Sequence, residues 1–262
     1  MTRLSYSRLQ MYTRCGEQYR RRYVEDEVVP PGIAMYQGTS VHAAAQQNYR
    51  QKLLTGTDLP VKDIREIAME EWRAGTRAGL MLTREEELVG EEKVLGQAEK
   101  RVSGAALAFA TEVAPLVRPA VVEQTFVLPV GDDAELVFRP DVIETDDGIR
   151  DLKISGMRQN PATAPQLTLY CDGYWQKTGR FPPRVGFDVI APKTGKVSIL
   201  TATRRAEDFA SLHARLNAMY AALKAGLFMP APPDSWYCSA RFCGYFRTCR
   251  YAVQTKEEGW EL

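Results

Sequence analysis

The chain has 262 residues, of which 45% are hydrophobic and 26% charged, a composition typical of a globular protein with a sizeable core. No hydrophobic run approaches the ~18 residues that span a bilayer, and the polar N-terminus lacks the apolar segment of a signal peptide, so we expect a cytoplasmic protein. The net charge of +1 excludes a uniformly basic nucleic-acid-binding protein, but it leaves room for a local basic surface.

The first residues carry a local excess of positive charge. Residues 1–22 contain one acid, Glu17, and six arginines: Arg3, Arg8, Arg14, Arg20, Arg21 and Arg22. A helix is predicted over residues 4–24, with Ser5 as its N-cap and with Leu9 and tyrosines at helical spacing. Arg20, Arg21 and Arg22 are therefore candidate nucleic-acid contacts, although such residues also form ordinary solvated helix faces.

Helical patterns continue through the first half of the chain. After Pro30-Pro31-Gly32, a helix is predicted from Thr39 to Leu54 and is closed by Gly56. This places His42 in its first turn. Residues 61–114 are rich in Ala, Glu and Arg and lack strand-like alternation, so we interpret residues 57–117 as a helical insertion.

From Ala120 onward the pattern changes to alternating β-branched residues. Strands are predicted over residues 120–130, 134–145, 148–155, 184–191 and 196–203, and helices over 164–178 and 206–225, each ended by glycine. The sequence thus predicts an α/β fold, with a small mixed central sheet flanked by helices. We expect a single domain over residues 1–262, with the insertion and an irregular cysteine-rich tail at 230–250.

Two neighbouring strands carry charged side chains within hydrophobic surroundings. Asp141 lies in the first, and Asp151 and Lys153 lie two residues apart in the second, hence on one face of the sheet. An acid inside an apolar strand is costly unless it is paired or bound to a metal. The simpler interpretation of this D-x-K pattern is an internal ion pair on a strand.

The turn between these strands sets which side chains meet. Asp146-Asp147-Gly148 fits a three-residue hairpin loop with Gly148 in the left-handed conformation. This register pairs Thr145 with Ile149 and places Asp141 opposite Lys153. A two-residue turn would send Asp141 to the other face.

Two carboxylates beside a lysine suit phosphodiester hydrolysis. The carboxylates can hold Mg²⁺ or Mn²⁺, and the lysine can orient or deprotonate the attacking water. Glu123 is a candidate third acid, and His42 a candidate additional metal ligand, although a lone histidine is more often a packed residue. Gln166 and Tyr170 are four residues apart on a helix, so they share a face from which they can contact a DNA phosphate or position Lys153.

Five cysteines in a chain without a secretion signal form a poor disulfide framework. Cys238-x4-Cys243-x5-Cys249 is a compact group of three thiols with aromatic neighbours. Three thiolates need a fourth ligand, for which Cys15 and Cys171 are the candidates. Zinc and an iron-sulfur cluster are both compatible with such a group.

Taken in order, these motifs resemble the RecB-like branch of the PD-(D/E)XK nucleases, particularly its iron-sulfur members typified by the AddB nuclease domain and the CRISPR-adaptation nucleases. The motifs match from end to end of the chain at Ser5, Tyr12, Cys15, Tyr19, Tyr23, Gly38 to His42, Asp141, Asp151, Lys153, Gln166, Tyr170, Cys238, Cys243 and Cys249. The spacing of Cys238 and Cys243 departs from the x2 common in AddB-like members, which keeps zinc open.

The resemblance implies metal-dependent DNA cleavage, usually exonucleolytic and at DNA ends, in recombination, repair or CRISPR adaptation. It implies a 4Fe-4S cluster on Cys15 and the C-terminal trio, which leaves Cys171 as a buried small hydrophobe. DNA, as a single strand or a duplex with ends, is the expected partner, together with a helicase, recombinase or CRISPR-adaptation protein. Two alternatives stay open: an inactive DNA-binding or scaffolding subunit derived from a nuclease, and a cysteine-rich zinc module.

Overall fold

The computed structural model describes residues 2–130 and 133–253, in which a helical first half leads into a mixed α/β second half. The helices are α1 (Tyr6–Arg14), α2 (Gly16–Tyr23), α3 (Ile33–Thr55), α4 (Val61–Ala78), α5 (Arg84–Val89), α6 (Glu91–Ala108), α7 (Pro165–Thr178) and α8 (Phe209–Lys224). The strands are β1 (Thr2–Leu4), β2 (Pro119–Val122), β3 (Phe126–Val130), β4 (Ala134–Phe138), β5 (Val142–Glu144), β6 (Ile149–Ile154), β7 (Val185–Ile190) and β8 (Val197–Ala202).

The strands form two sheets. The larger has the order β2-β5-β6-β7-β8 and is mixed, because β6 and β7 run parallel while the other neighbours run antiparallel. The smaller has the order β1-β4-β3, with β1 parallel to β4. The expected α/β architecture is present, but the prediction of a single sheet is wrong.

Alternation along the strands directs side chains to two hydrophobic cores on opposite faces of the larger sheet. One core joins Ile149 and Phe187 to α1, α7, α8 and the smaller sheet. The other joins Leu152 and Ile190 to α3, α4 and α6. Asp151 and Lys153 share the face of Ile149, so they point towards α7.

Two of the predicted strands break where they pass from one sheet to the other. The predicted strand 120–130 divides after β2, where Glu123 adopts a left-handed backbone with φ 47°. The predicted strand 134–145 divides at Arg139-Pro140, because proline has no N–H to donate to a sheet. Each break lies beside an acid predicted to bind metal.

The helix boundaries also differ from the sequence-based expectation. The predicted N-terminal helix is interrupted at Cys15, which has an extended backbone and caps α2 with its sulfur. Helix α3 begins at Ile33 rather than Thr39, so His42 lies in its third turn. Its first turns have no side-chain cap and are supported by packing instead, with Ile33 buried and Gln37 donating to the Ala98 carbonyl of α6 at 3.3 Å.

Residues 61–116 are mostly helical, as the composition predicted, with a non-helical connection at 79–83. Helices α4, α5 and α6 are followed by a π-helical segment, Phe109–Val113, and a 3-10 turn, Ala114–Leu116. Among the described residues, no helix is both long and apolar enough to cross a membrane.

Candidate active site

The hairpin formed by β5 and β6 positions the acids. Val142 lies opposite Arg150, and Ile143 opposite Ile149. The loop closes through a hydrogen bond from the Glu144 N–H to the Gly148 carbonyl at 2.8 Å, and Asp147 occupies the left-handed region with φ 67°. The loop is therefore one residue earlier than predicted, since aspartate tolerates this conformation.

This shift changes the register by two residues, and it corrects the predicted pairing. Continuing the observed register places Asp141 opposite Asp151 rather than opposite Lys153. A shift of two preserves the face to which each side chain points. The convergence expected of Asp141, Asp151 and Lys153 therefore survives the error.

Asp141 joins the hairpin to α3. Its Oδ2 accepts a hydrogen bond from the Leu152 N–H at 2.7 Å and lies 3.3 Å from Nδ1 of His42. Burial disfavours the charge of Asp141, but His42 and the Leu152 N–H outweigh it and lower the pKa of this carboxyl. For His42, burial is outweighed by the Asp141 carboxylate, which raises the pKa of the imidazole to about 9.

Asp151 is buried beneath Lys153 and two side chains of α7. Its Oδ1 accepts hydrogen bonds from Gln166 Nε2 at 2.9 Å and from the Tyr170 hydroxyl at 3.1 Å. Lys153 Nζ lies 2.7 Å from Asp151 Oδ2 and donates to Gln166 Oε1 at 2.8 Å. Gln166 thus holds the lysine with its oxygen and the carboxylate with its nitrogen.

The buried oxygen of Asp151 is incompletely satisfied. Oδ2 accepts no well-aligned hydrogen bond from any residue that the structure describes, although Lys153 is close. Burial and the charge of Asp141 raise the pKa of Asp151 to about 6, against the opposing effect of Lys153. Apart from Lys153, this buried carboxylate oxygen has no partner among the described residues, so it keeps acceptor capacity for a cation.

A second cluster of ligand atoms lies beside this network. One ligand atom from each of His42, Glu123 and Asp141 lies within 4.8 Å of the other two. Carboxylate oxygens with one imidazole nitrogen are donors that suit Mg²⁺ or Mn²⁺. Together with Asp151, the residues present fit a divalent cation.

The left-handed backbone of Glu123 belongs to this cluster. Its N–H donates to the Asp141 carbonyl at 3.0 Å, and its Oε2 lies 3.3 Å from NH1 of Arg139. Burial raises the pKa of Glu123. A non-glycine residue at positive φ costs about 1 kcal/mol or more, and here the cost accompanies a carboxylate directed to the side of Asp141.

The four cysteines that match the family motif line one cavity of about 30 Å³. Cys15 comes from the start of α2, where its sulfur accepts hydrogen bonds from the N–H groups of Gln18 and Ala231 at 3.4 and 3.3 Å. Its three companions come from the irregular tail at Cys238, Cys243 and Cys249. Cys171 lies elsewhere and is 0% exposed, in agreement with its expected burial.

The arginines predicted to contact nucleic acid have other partners in the structure. Arg20 pairs with Glu17 at 2.7 Å and with Glu25. Arg21 is buried and donates to Glu27 and to Thr248 Oγ1, both at 2.6 Å. These contacts give Arg20 and Arg21 a role in tying α2 to the chain around it, and a role in DNA contact stays a prediction.

Sequence reasoning missed a buried ion pair behind the site. Arg150 donates to both carboxylate oxygens of Asp188 at 2.9 and 2.7 Å, on the face of β6 opposite Asp151. The available signal was a charged residue, Arg150, on the second face of the hydrophobic strand β6, with an acid in the buried strand β7. The pair links β6 to its parallel neighbour β7.

A family model of the PD-(D/E)XK nuclease superfamily matches residues 3–250. No curated protein gave a significant match. Among solved structures, a "Putative exonuclease" from Eubacterium rectale has a TM-score of 0.54 and 13% sequence identity, with 96% of this chain and 89% of that chain covered. The protein SSO0001 has a TM-score of 0.43 and 10% identity, with 97% and 88% covered.

The family match spans the hairpin, α7 and the four cysteines, and the fold likeness covers nearly the whole length. The chain belongs to the PD-(D/E)XK nuclease superfamily.

Proposed function

We propose that the protein is a divalent-metal-dependent deoxyribonuclease that removes nucleotides from DNA ends. The observation that carries this proposal is the convergence of Asp141, Asp151 and Lys153, with Gln166 bridging the last two. Two carboxylates and a lysine held at one spot form a site for phosphodiester hydrolysis. An internal ion pair alone does not explain the neighbouring cluster of His42, Glu123 and Asp141.

The residues have distinct proposed roles. Asp141 and Asp151, with His42 and Glu123, would hold Mg²⁺ or Mn²⁺, which when bound supplies Lewis-acid chemistry and an acidified water. Lys153 is anchored by Gln166 at 2.8 Å, so its ammonium is held where it can orient a water and offset phosphate charge. Burial raises the pKa of Tyr170 well above its usual value, so its phenol remains a hydrogen-bond donor.

Action at DNA ends rests on different support. The sequence resembles the RecB-like branch, whose members usually degrade DNA from ends, and the Eubacterium rectale protein bears the name of an exonuclease. DNA is accordingly the proposed partner, with a helicase, recombinase or CRISPR-adaptation protein as the proposed protein partner.

Labelled DNA tests this function directly. Linear single strands and duplexes carrying a 5′ or a 3′ label would be incubated with Mg²⁺, with Mn²⁺ and with a chelator, beside a closed circular DNA of the same sequence. We expect metal-dependent release of short products from linear DNA and intact circles. Cleavage of the circles would contradict exonuclease action, and binding without cleavage under all metals would favour an inactive DNA-binding subunit.

We also propose that Cys15, Cys238, Cys243 and Cys249 bind a 4Fe-4S cluster. All four line one cavity, yet no three of their sulfurs lie within 4.8 Å of one another. A tetrahedral zinc with bonds of about 2.3 Å would hold its thiolates roughly 3.8 Å apart. The wider spacing favours a polynuclear group, which would tie the N-terminal helices to the tail.

Anaerobic purification distinguishes the two metals. We expect a brown protein with broad absorption near ~400 nm, containing iron and acid-labile sulfide. A colourless protein with one zinc per chain would contradict the cluster and leave the nuclease proposal untouched.

A further inference from the structure

A groove of about 410 Å³ opens beside the proposed catalytic residues. Its lining includes Gln166 and Tyr170, together with residues at the start of α1 and at the end of β4. Its polar lining comes mainly from Arg3, Ser5, Tyr6, Ser7, Thr125 and Arg139. The groove therefore leads from the surface to the side chains that hold Asp151 and Lys153.

The charged side chains that line the groove are all cationic. Two guanidinium groups, three aliphatic hydroxyls and two phenols line the groove, and none of the described lining residues is an acid, although Arg3 and Arg139 pair with Glu135 and Glu123. A strip of cationic and hydroxyl donors is the chemistry that binds phosphate oxygens. A cationic ligand would find no carboxylate among the described lining residues.

Tyr6 is a donor that lines the groove at the start of α1. It is half-buried at the first position of α1, and its hydroxyl makes no hydrogen bond with any described residue. Lys153 and Asp151 lie close enough to influence the pKa of its phenol, which burial raises. A half-buried, unpartnered donor beside an ammonium group is suited to a second anion.

Arg139 is a cation that lines the groove at the end of β4. Its side chain is 59% exposed and pairs with Glu123 at 3.3 Å. The Glu123 side chain is only 12% exposed, so the guanidinium is the solvent-facing member of the pair and the one that a phosphate can reach. Arg139 also immediately precedes Pro140 and Asp141, which fixes its backbone relative to the catalytic hairpin.

We propose that this groove binds one unpaired nucleotide of the DNA strand next to the scissile phosphate, with the Tyr6 hydroxyl and the Arg139 guanidinium donating to its phosphate. This inference rests on the proposed function, and it adds that the substrate is single-stranded at this position. The groove has the volume of a small-molecule site, which admits a single nucleotide but not a base pair with its second strand. The protein accordingly acts on a single-stranded end.

Binding measured without cleavage tests the groove. Fluorescence anisotropy of a labelled single-stranded oligothymidine, in chelator, gives Kd for the wild type, for Tyr6→Phe and for Arg139→Gln. We expect Tyr6→Phe to weaken binding about ten-fold, as the loss of a hydrogen bond to a charged group does. Arg139→Gln should weaken binding and reduce the slope of log K against log salt by about 0.7.

Matched variants control for the substitutions themselves. Tyr220→Phe removes another half-buried phenol, one without a hydrogen bond to any residue in the described ranges, and Lys62→Gln removes an exposed charge on α4. Both should bind as the wild type does. A parallel titration with blunt duplex DNA should show weaker binding by the wild type and little effect of Tyr6→Phe.

The outcomes separate the groove from the general function. The wild type can bind and cleave DNA while both groove variants keep its Kd and salt slope. That result would overturn the proposed nucleotide site in the groove and leave the nuclease proposal intact. Equal losses on single strands and on blunt duplex overturn the selection of an unpaired nucleotide. A wild type that neither binds nor cleaves any DNA overturns both proposals.

Discussion

The proposed catalytic residues and the four cysteines are held in place by different kinds of structure. Asp151 and Lys153 lie on a strand whose neighbours are fixed residue by residue, and Gln166 lies on a helix packed against that sheet. Cys238, Cys243 and Cys249 lie in turns, with one 3-10 turn, Phe246–Thr248, between the last two. Regular hydrogen bonding defines the first site, whereas the second depends on contacts between distant segments.

These distant contacts are few and specific. The Tyr245 hydroxyl donates to the Glu27 carbonyl at 2.7 Å, and the Gly16 N–H donates to the Met229 carbonyl at 2.6 Å. Cys15 itself receives the Ala231 N–H at 3.3 Å. The fold therefore preorganises the proposed catalytic site, whereas the cysteine cavity would rely on the proposed cluster to complete it.

Asp151→Asn is the most severe test of the proposed catalytic site. Removing a proposed metal ligand should lower the cleavage rate at least ~1000-fold. The melting temperature should be unchanged or higher, because the substitution removes a buried charge beside Asp141. Asp147→Asn changes a partly exposed acid of the same hairpin and should retain full activity; a cleavage-competent Asp151→Asn would contradict the site.

Asp188→Ala should disturb the sheet that preorganises the site. It leaves the Arg150 guanidinium buried without its bidentate partner, and breaking such a pair costs about 3 kcal/mol. Urea unfolding measures this cost. The double variant Arg150→Met/Asp188→Leu should recover most of the stability, and a single variant as stable as the wild type would show that the pair is not needed.

Cys15→Ser tests whether the cysteine cavity depends on a bound cluster. Serine retains an N-cap oxygen for α2, so the effect isolates the loss of a ligand. We expect loss of absorption near ~400 nm and a melting temperature lower by roughly 5–10 °C. Cys171→Ala should keep the absorption, and the same spectrum and stability in Cys15→Ser would remove Cys15 from the cluster.

Gln166→Ala gives the smallest expected change. It removes the amide that bridges Lys153 and Asp151 but no proposed metal ligand, so kcat should fall about ten-fold with little change in KM. Steady-state kinetics on a labelled oligonucleotide measures kcat and KM separately. A raised KM with an unchanged kcat would instead make Gln166 a contact for substrate binding.

Local patterns predicted the parts of the site that depend on periodicity. The i and i+2 positions of Asp151 and Lys153 fix a shared face in any strand, and the spacing of Gln166 and Tyr170 fixes a shared face in any helix. Gly179 ends α7 in the left-handed conformation, as its position after the helical pattern predicted. These features do not depend on distant residues.

The other features of the structure depended on a choice between alternative conformations or partners, which a local sequence pattern does not resolve. Asp147 and Gly148 can both adopt the left-handed conformation, and the structure uses Asp147, so the predicted register was shifted. Arg21 is equally suited to a phosphate or a carboxylate, and its burial beside Glu27 and Thr248 arises only when the tail folds onto α2. The two-sheet arrangement likewise follows from breaks at Glu123 and Pro140.

The close approach of α7 to β4 has a consequence for how this sequence can vary. A methyl group on Gly173 would lie 2.2 Å from the ring of Phe138. Phe138 is the last residue of β4, which leads to Arg139 and Asp141. Alanine at 173 requires either a smaller side chain at 138 or a displaced helix carrying Gln166 and Tyr170. Among relatives with this site, we therefore expect the sizes of the residues at these two positions to change in opposite directions.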